Sequence, residues 1–235
     1  MEVVAGAARG RKPALVLGVQ GANTEAALAY LKHAEKLGPD AMIAIPPAEA
    51  NSIAAFKDYY RALARATRRP IFIQTTGGAK GVSFETSTIL DLAREFPNLG
   101  YVKEEVAPVI ERGRELARHR DIIKSIFSGG GGKGMLYEMR LGFDGTMPGT
   151  PYADLHARIW EEYQAGRKEK AIEVFSKLLL MAELEQHIPG VRSYIMKKRG
   201  VFKTTVSRLR DVSYSPEAIQ EIELQWSALR PYLRA

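Results

Sequence analysis

The sequence predicts an α/β fold built on a parallel sheet, on two observations. Short apolar runs alternate with longer amphipathic ones at a period of about 25–30 residues, the spacing of strand–helix units. The short runs are apolar almost throughout, as in strands covered on both faces. Two architectures satisfy this pattern, an open doubly wound sheet and a (β/α)₈ barrel. In either, chemistry belongs at the C-terminal ends of the strands.

The elements follow in order. "ALVLGV" (14–19) reads as a strand from its length and branched residues, and "NTEAALAYLKHAEKLG" (23–38) as a helix capped by Asn23 or Thr24 and stopped by Gly38. "DAMIAI" (40–45) is the second strand, closed by Pro46-Pro47, and the following helix stripes Ile53, Phe56, Tyr60 and Leu63 on one side. "PIFIQ" (70–74) and "ETSTILDLAREF" (85–96) form the third unit. "LGYVK" (99–103) with "APVIERGRELARH", "DIIKSIF" (121–127) with "GKGMLYEMRLG", and "FDGTMP" (143–148) with "YADLHARIWEEYQAG" complete six. Beyond Gly166 the strands stop, and three closing helices follow. A division at 166–167 is therefore expected, with 1–166 as the strand–helix part and 167–235 as a helical extension.

Composition removes several function classes. The 235 residues include no cysteine, which excludes disulfides and thiolate metal sites. The four histidines, His33, His119, His156 and His187, stand singly, so no metal site is expected. The start lacks a basic segment leading into an apolar one, and no apolar run reaches the roughly 18 residues that span a bilayer. The chain reads as cytoplasmic, without a membrane partner. Seven basic residues and no acidic one lie between Arg192 and Arg210, equal to the whole formal excess of +7. One such patch could hold a phosphate backbone, but the balanced remainder argues against nucleic acid.

The singular position is Lys103. Lysine is among the residues least often buried, because desolvating an ammonium is costly, yet Lys103 directly follows the apolar run Leu99–Val102. A lysine at such a mouth loses hydration, which favours the neutral amine, and that amine can attack a carbonyl to form a Schiff base. The plainer reading is a snorkelling lysine paired with Glu104 or Glu105. Gln74-Thr75-Thr76, Ser128-Gly129 and Thr146-Met147-Pro148 share its sheet edge. "FSGGGGKGM" is not a P-loop, since Phe127 and Gly134 replace the required Gly and Ser/Thr, and no G-x-G-x-x-G or G-x-S-x-G occurs. The glycines instead let a substrate approach the backbone.

The succession "LGVQGANTEAALAYLKHAEKLGPDAMIAIPP", "RRPIFIQTTGG", "LGYVKEE", "SIFSGGGG" and "GFDGTMPG" resembles the dihydrodipicolinate synthase/N-acetylneuraminate lyase family over nearly the whole chain. The resemblance implies a (β/α)₈ TIM barrel, Schiff-base chemistry on pyruvate or another 2-oxo acid, no cofactor and a homo-oligomer. It implies that Lys103 is the Schiff-base lysine at the end of the family's sixth strand, with Gly129 and Met147 around the imine. Gln74 and Thr75 are the remaining substrate-binding candidates.

Three departures accompany it. Gln74 stands where the family has its proton-handling tyrosine, and glutamine exchanges no proton near neutral pH. Ala48 and Glu49 replace a second tyrosine, and Ala79-Lys80 an arginine. The family's first two strands, with the turn that binds the substrate carboxylate, are without counterpart, so the expected fold is a barrel lacking those strands, with C-terminal helices. The expected function is an aldolase or dehydratase acting through Lys103, with Glu49 or Glu104 as a substitute acid/base. A relative that binds a 2-oxo acid without turnover is the alternative.

Overall fold

In the computed structural model, which describes residues 1–11, 13–80, 82, 84–209 and 212–234, six strands form in the expected places. They are β1 (Val16–Gly18), β2 (Ala41–Ala44), β3 (Ile71–Gln74), β4 (Tyr101–Glu104), β5 (Ser125–Ser128) and β6 (Gly145–Thr146). All pair in parallel, in chain order. A doubly wound sheet reverses its strand order at a switch point. This one does not, so the winding is single.

Helices α1 (Glu2–Ala8), α2 (Thr24–Leu37), α3 (Ile53–Ala66), α4 (Thr86–Glu95), α5 (Val109–Leu116) and α6 (Met135–Arg140) accompany the strands. The cap of α2 is Asn23, whose side chain accepts from Ala26 N at 2.9 Å, and the chain leaves the helix through Gly38 at φ 67°. Such caps satisfy backbone groups that the helix itself leaves unpaired. Ser52 does the same for α3. At only two residues, β6 is shorter than expected. A Cβ at Gly145 would press on the Phe127 ring, and Pro148 has no N–H to continue the ladder.

The pleat separates two environments. Ala44, Ile73, Val102 and Ile126 form one row across β2–β5 and are fully buried, in the core that also holds Leu63, Ile89 and Leu92 from α3 and α4. The opposite row carries Ile43, Phe72 and Tyr101, with Phe127 beyond, and Phe72 meets both other rings at 5.6 Å. Ile43, Tyr101 and Phe127 are only partly buried. Across β2–β5, strand burial is thus complete on one face and partial on the other.

Packing divides the chain into two compact units, Met1–Gly130 with Tyr137–Met147, and Gly131–Leu136 with Pro148–Ala235. The second is helical, built on α7 (Ala153–Gln164), α8 (Lys168–His187), α9 (Val191–Lys198) and α10 (Pro216–Leu229). Leu155, Ile159, Val174, Met181, Ile195, Ile222 and Trp226 fill its core. The 166–167 division follows the strand–helix repeat, and α7, its last helix, packs within this helical unit. Here Arg192 pairs with Glu185 at 2.7 Å, Lys198 with Glu223 at 2.6 Å and Arg199 with Asp154 at 2.7 Å. Three cations of the basic stretch are therefore balanced locally; Arg210 lies outside the described residues. No described helix is long and apolar enough to cross a membrane.

Candidate active site

Register builds the site. Gln74 pairs with Lys103 and Lys103 with Phe127, which puts the glutamine, the lysine and the phenylalanine in one row on the incompletely covered face. The next row, Glu104, Ser128 and Thr146, lies on the helix-covered face. Successive strand residues point to opposite faces, so Glu105 returns to the side of Lys103.

Lys103 is only 15% exposed, and its Nζ stands 3.1 Å from Glu105 Oε1. Glu105 is 17% exposed and tightly held. Its Oε2 accepts from Gln74 Nε2 at 2.5 Å and from Thr76 Oγ1 at 2.6 Å. Gly129 makes the space, since a Cβ there would fall on Glu105 Cγ. The plain pairing of lysine with a neighbouring glutamate is therefore present, and the partner is Glu105.

Glu104 belongs to a different network. It is fully buried, and its Oε1 accepts from Thr75 Oγ1 at 2.7 Å and Val106 N at 2.9 Å. Arg112 Nε lies 3.1 Å from the same oxygen, an ion-pair distance without hydrogen-bond alignment, while Arg112 Nη2 donates to Phe84 O. Among the described residues Glu104 Oε2 has no hydrogen-bond partner. Thr75 Oγ1 also accepts from Glu105 N at 2.9 Å. One threonine hydroxyl thus ties the two glutamates' positions together across β3 and β4.

The candidates read from the sequence separate accordingly. Lys103, Gln74 and Gly129 surround Glu105. Thr75 adjoins them through its backbone, but its hydroxyl turns to the buried side. Met147 donates its N–H to Ser128 O at 2.8 Å at the end of β6 and is partly buried. Of the two proposed substitute carboxylates, Glu104 is sealed on the helix side and Glu49 is exposed. Glu105 is the one that meets the lysine. Strand alternation points to it only once the end of β4 is known, and the strand runs through Glu104, one residue past the expected stop.

Tyr60, packed beneath β2 and β3, is not placed to exchange protons at this edge. The Tyr60 hydroxyl donates to Ala44 O at 2.7 Å, and burial drives its ionisation far above the usual range. It is a packed donor. On the helix face Ser128 Oγ donates to Glu138 Oε2 at 2.6 Å, and burial pushes the Glu138 carboxyl up despite that bond.

After β3 the chain turns back over the sheet edge. Gly77 and Gly78 take φ values of 109° and 77°, and Gly78 N donates to Pro46 O at 3.1 Å. A side chain at Gly78 would run into the Phe56 ring, so glycine is required for both its conformation and its clearance. Thr75–Lys80, Val82 and Val106 line an open groove of about 430 Å³ beside the site.

A singly wound parallel sheet defines an α/β protein with the strand order of a barrel, and this one carries an amine and a carboxylate paired at its C-terminal edge. The chain belongs to the dihydrodipicolinate synthetase family, whose model matches residues 1–224. It is 28% identical over 222 residues to 4-hydroxy-tetrahydrodipicolinate synthase of Helicobacter pylori (strain G27), spanning 89% of this chain and 70% of that protein. A 4-hydroxy-tetrahydrodipicolinate synthase of Chlorobium chlorochromatii is 40% identical over 83 residues, 35% of this chain and 28% of its own. Among solved structures, N-acetylneuraminate lyase from Fusobacterium nucleatum, complexed with pyruvate, superposes with a TM-score of 0.80 at 21% identity, covering 99% of this chain and 77% of that one. Dihydrodipicolinate synthase from Acinetobacter baumannii, also complexed with pyruvate, gives 0.82 at 19% identity, covering 97% and 79%. Those two likenesses concern the fold.

Proposed function

We propose that this protein forms a Schiff base between Lys103 Nζ and the C2 carbonyl of pyruvate or a 2-oxo sugar acid, and uses it as an aldolase or dehydratase. The observation that carries this reading is Lys103 itself. It is a largely buried lysine at the C-terminal end of β4, with its amine on the incompletely covered face. Family membership and the pyruvate complexes of two proteins with this fold support the substrate class. The amine attacks the carbonyl, water leaves, and the resulting iminium withdraws electrons from the neighbouring carbon, easing cleavage of a C–C or C–O bond. Gln74, Gly129 and Met147, with the Thr75 backbone, are the proposed substrate-facing positions.

In this reading the six strands are units three to eight of a (β/α)₈ barrel, because strand number, tilt and shear are linked in closure. Two further strands would pair with the open edges of β1 and β6. A homo-oligomeric state goes with the same reading. A second reading, binding of a 2-oxo acid without turnover, is favoured by Gln74 at the family's tyrosine position.

The test is borohydride trapping with pyruvate, and separately with a longer 2-oxo sugar acid, read by intact and peptide mass spectrometry. A stable adduct on Lys103, lost in Lys103→Ala, is the expected result. Folded protein that gives no adduct would sink the Schiff-base reading.

A further inference from the structure

We infer that Glu105 is the acid/base of this site and replaces the proton-exchanging group lost with Gln74; the inference rests on the Schiff-base reading above. The carboxylate is asymmetrically held. Oε2 is occupied by two donors, Gln74 Nε2 at 2.5 Å and Thr76 Oγ1 at 2.6 Å. Oε1 faces Lys103 Nζ at 3.1 Å. One oxygen is thus anchored while the other is directed at the reacting amine, within the reach that a general base needs. Gly129 keeps that position open, because any Cβ there would displace the glutamate. Gln74 keeps a role as the donor that aims the carboxylate.

The proton count closes. The Lys103 ammonium passes a proton to Glu105 Oε1, leaving an amine and a carboxylic acid. The amine nitrogen bonds to C2, the carbonyl π electrons move to oxygen, and Glu105 protonates that oxygen. Glu105 then takes a second proton from the same nitrogen and delivers it to the hydroxyl, which leaves as water as the nitrogen lone pair forms the iminium. Ammonium and carbonyl have become iminium and water, and Glu105 is again a carboxylate. It next accepts a proton from C3 of bound pyruvate, whose electrons form the enamine, and returns it in the reverse step.

That last step supplies the test, exchange of pyruvate C3 protons for deuterium in D₂O, followed by proton NMR beside borohydride trapping in the same samples. Wild-type protein should exchange and trap on Lys103. Glu105→Gln should lower exchange by about 10²–10⁴-fold, the usual worth of a positioned acid/base, while an adduct on Lys103 still accumulates slowly. Formate should restore part of the exchange in Glu105→Ala, which a merely structural role would not allow. Exchange per adduct equal to wild type in Glu105→Gln would overturn the inference and leave the Schiff-base reading standing. Absence of an adduct in wild type would overturn both. Should Glu105→Gln not fold, Thr76→Val carries the test: slower exchange with the adduct retained is expected, and unchanged exchange refutes the role.

Discussion

Glu104 and Glu105 are consecutive in the chain and stand on opposite faces of the sheet. The Oε1 atom of Glu105 is 3.1 Å from Lys103 Nζ, while that of Glu104 is 3.1 Å from Arg112 Nε on the helix-covered side. Thr75 Oγ1 joins them, donating to the Glu104 carboxylate and accepting from Glu105 N. The buried pair therefore sets the position of the strand end from which the other glutamate reaches the lysine.

Arg112→Met is expected to destabilise the sheet unit by about 3–5 kcal/mol, because it strands a fully buried carboxylate without its cation. Adding Glu104→Gln should recover much of that loss by removing the charge. Urea unfolding of the two single variants and the double variant measures both. A double variant as unstable as Arg112→Met would show that the pairing is not what matters.

Gly129→Ala should impair chemistry far more than folding. Its new methyl group occupies the place of Glu105 Cγ, so the flexible glutamate must swing away from Lys103. Misplacement of a reacting group by about 1 Å can cost roughly 10²-fold in rate. Rates of borohydride trapping and of C3 exchange, set beside the melting temperature, check this. Wild-type rates in a folded variant would contradict it.

Tyr60→Phe removes a fully buried hydroxyl that donates to Ala44 O. The carbonyl left behind should cost about 1–3 kcal/mol, while Lys103 trapping stays at the wild-type rate. A changed trapping rate at unchanged stability would place Tyr60 in the chemistry instead.

Glu138 gives a pH dependence of definite sign. Burial raises its carboxyl above the ordinary 4.5. Between the ordinary and the raised value the folded protein holds a proton that the unfolded chain has released. Stability from this group is thus complete below about 4.5 and is lost as pH rises through the folded value. Glu138→Gln, which can still accept the bond from Ser128, should remove that decline. Unfolding free energies measured from pH 4 to 8 decide it, and an unchanged slope in the variant would count against the assignment.

Lys103 could be found in the sequence because a lysine directly after an apolar run contradicts ordinary burial. Its partner could not be chosen there. Which of two adjacent glutamates shares the lysine's face depends on where β4 ends, and the strand continues through Glu104, one residue past the expected stop. For the same reason Thr75, expected beside a substrate, turns its hydroxyl to the helices while Gln74 and Thr76 turn to the lysine.

The sequence by itself determined the parallel α/β class, the six strands in their chain order, the stop at Gly38 and the placing of Lys103 at a sheet edge. These follow from local hydrophobic period and from the cost of desolvating a charge. Only the tertiary structure decided that Glu104 is sealed with Arg112 and that Glu105 meets the lysine. Each depends on register between strands. The donors that hold Glu105, Thr76 and Gln74, lie 29 and 31 residues away in the chain, a separation at which local pattern specifies no contact.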